Sequence, residues 1–169
     1  MKAHTLSILV ENKAGVLSRV AGLFSRRGFN IESLAVGVCE EPNMSRITVV
    51  AYGDDAQIEQ LKKQLNKLID IVKVSDITYR DHVDRELALI KVGAETGASR
   101  AEIMQIASIF RAKIIDVGTR TVVLEVTGDS EKINALEKLL RQYGIKELVR
   151  TGKIAILRGL KTVKSQKPE

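Results

Sequence analysis

LSILVENKAGVLSRVAGLFSRRGFNIESLAVGV, residues 6–38, is the stretch whose reading decides the fold. It opens on alternation, with Leu6, Ile8 and Val10 on one face and Ser7 and Leu9 on the other, the period of a strand. Asn12-Lys13-Ala14-Gly15-Val16-Leu17 then turns the chain into an amphipathic helix whose apolar stripe is Val16, Val20, Leu23 and Phe24. Gly28 stands where a helix-ending glycine belongs, and a second strand follows from Ile31. A glycine between strand and helix leaves the first N–H groups of the helix free and near the surface, which is a ready site for a carboxylate or phosphate. No catalytic constellation accompanies it, so the chain reads first as a binder or sensor of a small acid.

Outward from that stretch the order continues as βαββαβ. Glu40-Glu41-Pro42-Asn43 is a turn. A strand is expected over 45–52, Asp54 and Asp55 supply a helix cap, and Ile58, Leu61, Leu65 and Leu68 mark a helix stripe. A fourth strand covers 71–78. The second half repeats the order: strand over 86–93, helix behind a Ser99…Glu102 capping box with Ile103, Ile106, Ala107 and Phe110 inward, strands over 113–117 and 121–127. A helix capped by Asp129 then carries Ile133, Leu136, Leu139, Leu140 and Tyr143, and a strand covers 145–150, which 153–157 extends or flanks. The fold class is α+β, two βαββαβ units, each a helix pair on one face of an antiparallel sheet. Each unit by itself leaves one open sheet face and two edges, so pairing with another chain is expected.

Composition narrows the function. The 169 residues are 44% hydrophobic but only 4% aromatic, an aliphatic core. The single cysteine, Cys39, excludes an internal disulfide framework and fits a reducing cytoplasm. The N-terminus enters a strand pattern without a secretory leader, and no apolar run approaches the roughly 18 residues of a membrane span. The net charge of +6 sits mostly in residues 150–169, which hold six Lys/Arg against one acidic residue. A basic end of that kind is a solvated tail rather than a duplex reader, so neither nucleic acid nor membrane is an expected partner.

The candidate chemistry is sparse. His4 and His82 lie far apart in sequence and outside any cluster with ligand spacing, so no metal site is expected. Cys39 beside Glu40 and Glu41 has no neighbouring cation and reads as structural. Gly93-Ala94-Glu95-Thr96-Gly97-Ala98-Ser99 lacks the Gly-Lys-Ser/Thr end of a phosphate loop. No catalytic residue is assigned. From spacing alone the local reading wins: Asn12 caps the helix, Gly15 turns the chain, and Asn30, a residue type that tolerates a left-handed backbone, fills a turn, while the Asn12 and Asn30 amides could also reach a ligand.

Asn12 to Val20, followed by Phe24 to Leu34, resembles the regulatory (small) subunit of acetolactate synthase, also called acetohydroxyacid synthase. Further matches are Ser45-Arg46, Gln64-Leu65-Asn66-Lys67-Leu68, Phe110-Arg111-Ala112, Ile114-Ile115-Asp116-Val117 and Arg150-Thr151-Gly152. The resemblance covers about residues 4 to 159. It implies two ferredoxin-like units: an amino-acid-sensing ACT domain over 1–79, a linker over 80–85, a C-terminal regulatory domain over 86–159, and a basic tail over 160–169. It implies a non-catalytic chain that dimerises through its ACT domains and binds the catalytic (large) subunit. Thiamine diphosphate, FAD and a divalent metal are implied in that partner, and no cofactor here. Activation of the partner and feedback inhibition by branched-chain amino acids, usually valine, are implied with it. The effector residues by matching position are Asn12, Ala14, Gly15, Val16 and Leu17, with Asn30 and Ile31 from the neighbouring copy. Many amino-acid-sensing ACT domains carry Asp and Pro-Gly in this loop where Asn12 and Ala14-Gly15 stand, so the effector's identity stays open. The alternative is a free-standing ACT sensor acting on another enzyme or on transcription.

Overall fold

A computed structural model describes residues 2–163. The elements are β1 (Lys2–Glu11), α1 (Val16–Arg26), β2 (Ile31–Val38), β3 (Met44–Gly53), α2 (Asp55–Leu65) and β4 (Ile71–Asp76), then β5 (His82–Gly93), α3 (Gly97–Ile109), β6 (Lys113–Val117), β7 (Thr121–Gly128), α4 (Ser130–Leu140), β8 (Ile145–Arg150) and β9 (Ile154–Leu157). A 3-10 turn, Arg141–Tyr143, follows α4. Among the described residues two compact units result, one of residues 2–83 together with 153–163, the other of 84–152. Each holds an antiparallel sheet, in the orders β2-β3-β1-β4 and β6-β7-β5-β8. The two βαββαβ, ferredoxin-like units expected from the sequence are present.

In the first unit Leu6, Ile8 and Val10 of β1 meet Ile47, Val49 and Ala51 of β3 beneath the helices, and Val20, Leu23, Phe24, Ile58, Leu61 and Leu65 close the core from above. Burying each such large side chain contributes about 1.5–3 kcal/mol. Phe24 packs edge-on against Phe29, ring centroids 6.2 Å apart. Leu68 lies past the end of α2 yet packs against this core from the turn. The second unit repeats the arrangement with Ala88, Ile90 and Val92 of β5 against Ile103, Ala107, Leu124, Ile133 and Leu136.

Several expectations are corrected. The α3 cap lies one turn earlier: Thr96 is extended (φ −116°, ψ 157°) and its hydroxyl accepts from the Ser99 N–H, while the Ser99 hydroxyl accepts from the Thr96 N–H. Glu102 instead accepts from the Tyr143 hydroxyl at 2.7 Å. Leu139 faces outward on α4 rather than into the core. β5 begins at His82, inside the stretch expected as a linker, because the chain re-enters a strand almost at once.

The open face expected of the first unit is closed. Thr5, Ser7 and Leu9 on the outward side of β1 are all buried. The Arg46 guanidinium on that side donates to Ser7 Oγ and to the Val163 carbonyl. Ala155 and Leu157 of β9, together with Val163, cluster with Ile77 in the first unit, and the Lys153 N–H donates to Ser33 Oγ at 2.8 Å. Aliphatic side chains at alternate positions of β9 have an apolar surface to bury there. In the second unit the corresponding Leu89 and Val149 are exposed, as the open-face reading expects. Of the basic tail over 160–169, residues 164–169 lie outside the described residues.

Candidate functional site

The β1–α1 loop is shaped by its own backbone. The Asn12 N–H donates to the Asn43 carbonyl at 2.8 Å and the Lys13 N–H to the Glu11 carbonyl at 2.9 Å. Gly15 is the N-cap at φ +82°, a left-handed conformation that favours glycine, and no side chain caps the helix. The reading of Asn12 as the cap is therefore corrected. Its backbone is tied to Asn43 three residues before the helix cap, and its side chain is exposed. The first helical bond runs from the Arg19 N–H to the Gly15 carbonyl at 3.0 Å, and α1 has no acidic residue in its first turn. The Val16 N–H turns back to the Lys13 carbonyl at 3.4 Å, and the rest of the first turn, without a side-chain cap, presents its donors and positive dipole end.

The seven expected site residues divide into two groups. Asn12, Ala14 and Gly15 on this loop and Val16 and Leu17 at the start of α1 fall within six residues, with Val16 buried as an anchor and Leu17 exposed. Asn30 and Ile31 lie elsewhere. Ile31 pairs with Ala51, which pairs with His4, whereas the loop leaves β1 at Glu11, opposite Met44. Seven residues of strand separate His4 from Glu11, roughly 23 Å at about 3.3 Å per residue. One chain does not bring the two groups together.

β2 is the edge of its sheet. Its residues 33–38 carry no charge, and Val36 and Val38 are exposed on the helix-bearing face. Such a strand lacks the charges that usually protect an edge from pairing.

Two residues beside the loop escaped sequence reading. Arg19 Nη2 donates to Asp70 Oδ2 at 2.5 Å, and Asp70 is buried. The Asp70 carbonyl accepts from the Glu11 N–H at 2.9 Å, tying the start of β4 to the end of β1. The only sequence signal was the four-residue step from Gly15 to Arg19, which places the arginine over its own helix start. Lys13, the loop's other cation, is paired with Glu11, and that hydrogen bond and charge raise its ammonium above its ordinary pKa.

The remaining polar groups do not form a reaction centre. His4 is buried, with Nδ1 3.1 Å from Asp76 Oδ2 and Nε2 3.6 Å from Asp55 Oδ1. Its ring meets Tyr79 edge-on. Burial alone would raise the Asp76 carboxyl, but the hydroxyl and N–H of Thr78 and the nearby His4 outweigh it and hold the group below its usual range. His82 Nδ1 lies 2.7 Å from the Arg80 carbonyl, and Cys39 is a half-buried free thiol. Among the described residues no three His, Cys, Asp or Glu side chains converge as metal ligands, and no helix is long and apolar enough to cross a membrane.

The first βαββαβ unit has the architecture of an ACT domain, and a second unit of the same element order follows it. Residues 6–73 match the family described as an AHAS small subunit-like ACT domain, and residues 85–159 match the one described as the small subunit of acetolactate synthase. The chain is 58% identical over 158 residues to a probable acetolactate synthase small subunit of Archaeoglobus fulgidus, covering 94% of this chain and 98% of that one. It is 50% identical to the acetolactate synthase small subunit of Mycolicibacterium smegmatis, covering 92% and 91%. The crystal structure of the small subunit from Thermotoga maritima superposes with a TM-score of 0.86 at 44% identity, covering 94% and 99%. The chain belongs to the acetolactate synthase small-subunit family.

Proposed function

We propose that this chain pairs with a catalytic acetolactate synthase subunit, raises its activity, and makes it sensitive to a branched-chain amino acid, valine first among the candidates. Thiamine diphosphate, FAD and the divalent metal belong to that catalytic partner. This chain contributes binding and coupling in the cytoplasm. The observation that carries the reading is the bare N-terminus of α1 at left-handed Gly15. An effector carboxylate accepts from its first-turn N–H groups, and a branched side chain packs against Val16 and Leu17.

The site is completed by a second copy. Antiparallel pairing of β2 with its twin carries the partner's Ile31 end toward the Val38 end of this chain, the end of the sheet from which the β1–α1 loop departs. Asn30 and Ile31 then arrive from the neighbour, and the roughly 23 Å that separates the two groups within one chain is bridged by symmetry. Effector binding is thereby coupled to the arrangement of the dimer, and a difference in affinity for two arrangements shifts the catalytic subunit between them. Sedimentation and titration calorimetry with valine test this reading. A dimer binding one or two valines per pair supports it. A monomer that binds valine with full affinity overturns the shared site.

A further inference from the structure

We infer that Arg19, held by Asp70, is a direct binding residue for the carboxylate of the effector, and so the residue that selects free amino acids over their uncharged analogues. The inference rests on the effector site proposed above and adds to it a residue outside the seven that the sequence resemblance supplied.

Three observations place Arg19 there. A Cβ built on Gly15 would stand 3.2 Å from Arg19 Nη1, so the guanidinium lies beside the glycine N-cap of α1. The side chain is fixed at one edge only: Nη2 is bound to the buried Asp70 carboxylate, and Nη1 donates to no acceptor among the described residues. A guanidinium gripped at one nitrogen keeps the geometry of its remaining donors, and those are the donors that match a carboxylate. The loop's other cation, Lys13, is engaged by Glu11.

The third observation is an internal comparison. Arg100 occupies the same position in the second unit as Arg19 in the first, four residues after the N-cap, and in both helices that residue's N–H donates to the cap carbonyl at 3.0 Å. In the second unit the site is closed. Thr96 and Ser99 cap each other, and Arg100 Nη2 donates to the carbonyls of Ala94, Gly118 and Thr119. In the first unit the cap is a bare glycine and the arginine keeps donors to spare. In one copy the arginine's Nη2 is taken up by three backbone carbonyls, although its buried Nε has no partner among the described residues, and in the other Nη1 stays open toward an anion. A carboxylate entering the first unit accepts from the helix end on one side and from Arg19 Nη1 on the other.

The test is titration calorimetry of the full-length chain with valine and with valinamide, which keeps the ammonium and the branched side chain but lacks the negative charge. The wild type is expected to prefer valine by well over tenfold. Arg19→Gln is expected to weaken valine about tenfold and valinamide hardly at all, the lower end for a charge-assisted bond because the guanidinium is half exposed. Arg19→Lys keeps a charge without the fork and falls between. It also carries the test if Arg19→Gln loses its cooperative thermal transition. Wild-type preference for valine persisting unchanged in both variants overturns the role of Arg19 while leaving the effector site standing. A wild type that binds valine and valinamide alike overturns it too. A wild type that binds no branched-chain amino acid overturns the effector site itself, and this inference with it.

Discussion

Gly15→Asp puts a carboxylate on the chain at the position proposed for the effector's. The cost to the fold can be worked out from the geometry. At φ +82° a side chain costs roughly 1–2 kcal/mol relative to glycine. The new Cβ would crowd only Arg19 Nη1, the far end of a flexible side chain that can shift. Pairing of the introduced carboxylate with Arg19 on a half-exposed surface returns about 0–1 kcal/mol. The net loss of about 0–2 kcal/mol is small against the 5–15 kcal/mol of a typical domain, so the variant folds, with a melting temperature lowered by up to about 10 °C. Binding suffers more, because the built-in carboxylate takes the helix end and repels the effector's own. Valine affinity is expected to fall by about tenfold or more. Gly15→Ala has the same backbone strain without the charge and separates the two effects: similar melting, weaker loss of affinity. The assay is titration calorimetry beside a thermal melt. Gly15→Asp binding valine with the wild-type Kd would refute the placement of the carboxylate.

Other outcomes follow from the rest of the molecule. Arg150→Met leaves the buried Glu86 carboxylate without its guanidinium and is expected to destabilise the second unit by about 3–5 kcal/mol, read by urea denaturation; a loss under about 1 kcal/mol would show that Glu86 tolerates the change. Phe24→Ala empties the centre of the first core and should cost about 3–5 kcal/mol in the same assay. The Asp76 carboxyl is held below its usual range in the folded state, so its contribution is present above about pH 4 and is lost as the pH falls through the folded pKa. Thr78→Val removes the hydroxyl that donates to Asp76 and is expected to move the acid-unfolding midpoint to higher pH, followed by circular dichroism; an unmoved midpoint would assign Asp76 no part in acid stability.

Most of the fold was legible because its elements are locally consistent. The alternation of β1, the stripe Val16-Val20-Leu23-Phe24 and Asp129 at its helix start each point to one local structure. The α3 cap was misplaced because Thr96…Ser99 and Ser99…Glu102 both satisfy capping spacing, and only the extended backbone at Thr96 chooses between them. The closed outer face of the first sheet was illegible for a different reason. Arg46 meets Val163 across more than a hundred residues of sequence, and no local periodicity carries that. The loop half of the candidate site was readable from Gly15 and the strand-to-helix switch. The distance from that loop to Asn30 and Ile31 is a property of strand register, which appears only when β1, β2 and β3 are aligned. Arg19 carried no role in the sequence reading, since only the three-dimensional turn brings it beside Gly15.

The central claim is that this chain tunes a separate catalytic subunit in response to a branched-chain amino acid. Its most direct measurement is acetolactate formation by the cognate catalytic subunit, assayed with and without this chain across a valine titration. The account predicts higher activity when the chain is added and loss of that activity as valine rises. Activity that is the same with and without the chain at every valine concentration would contradict it.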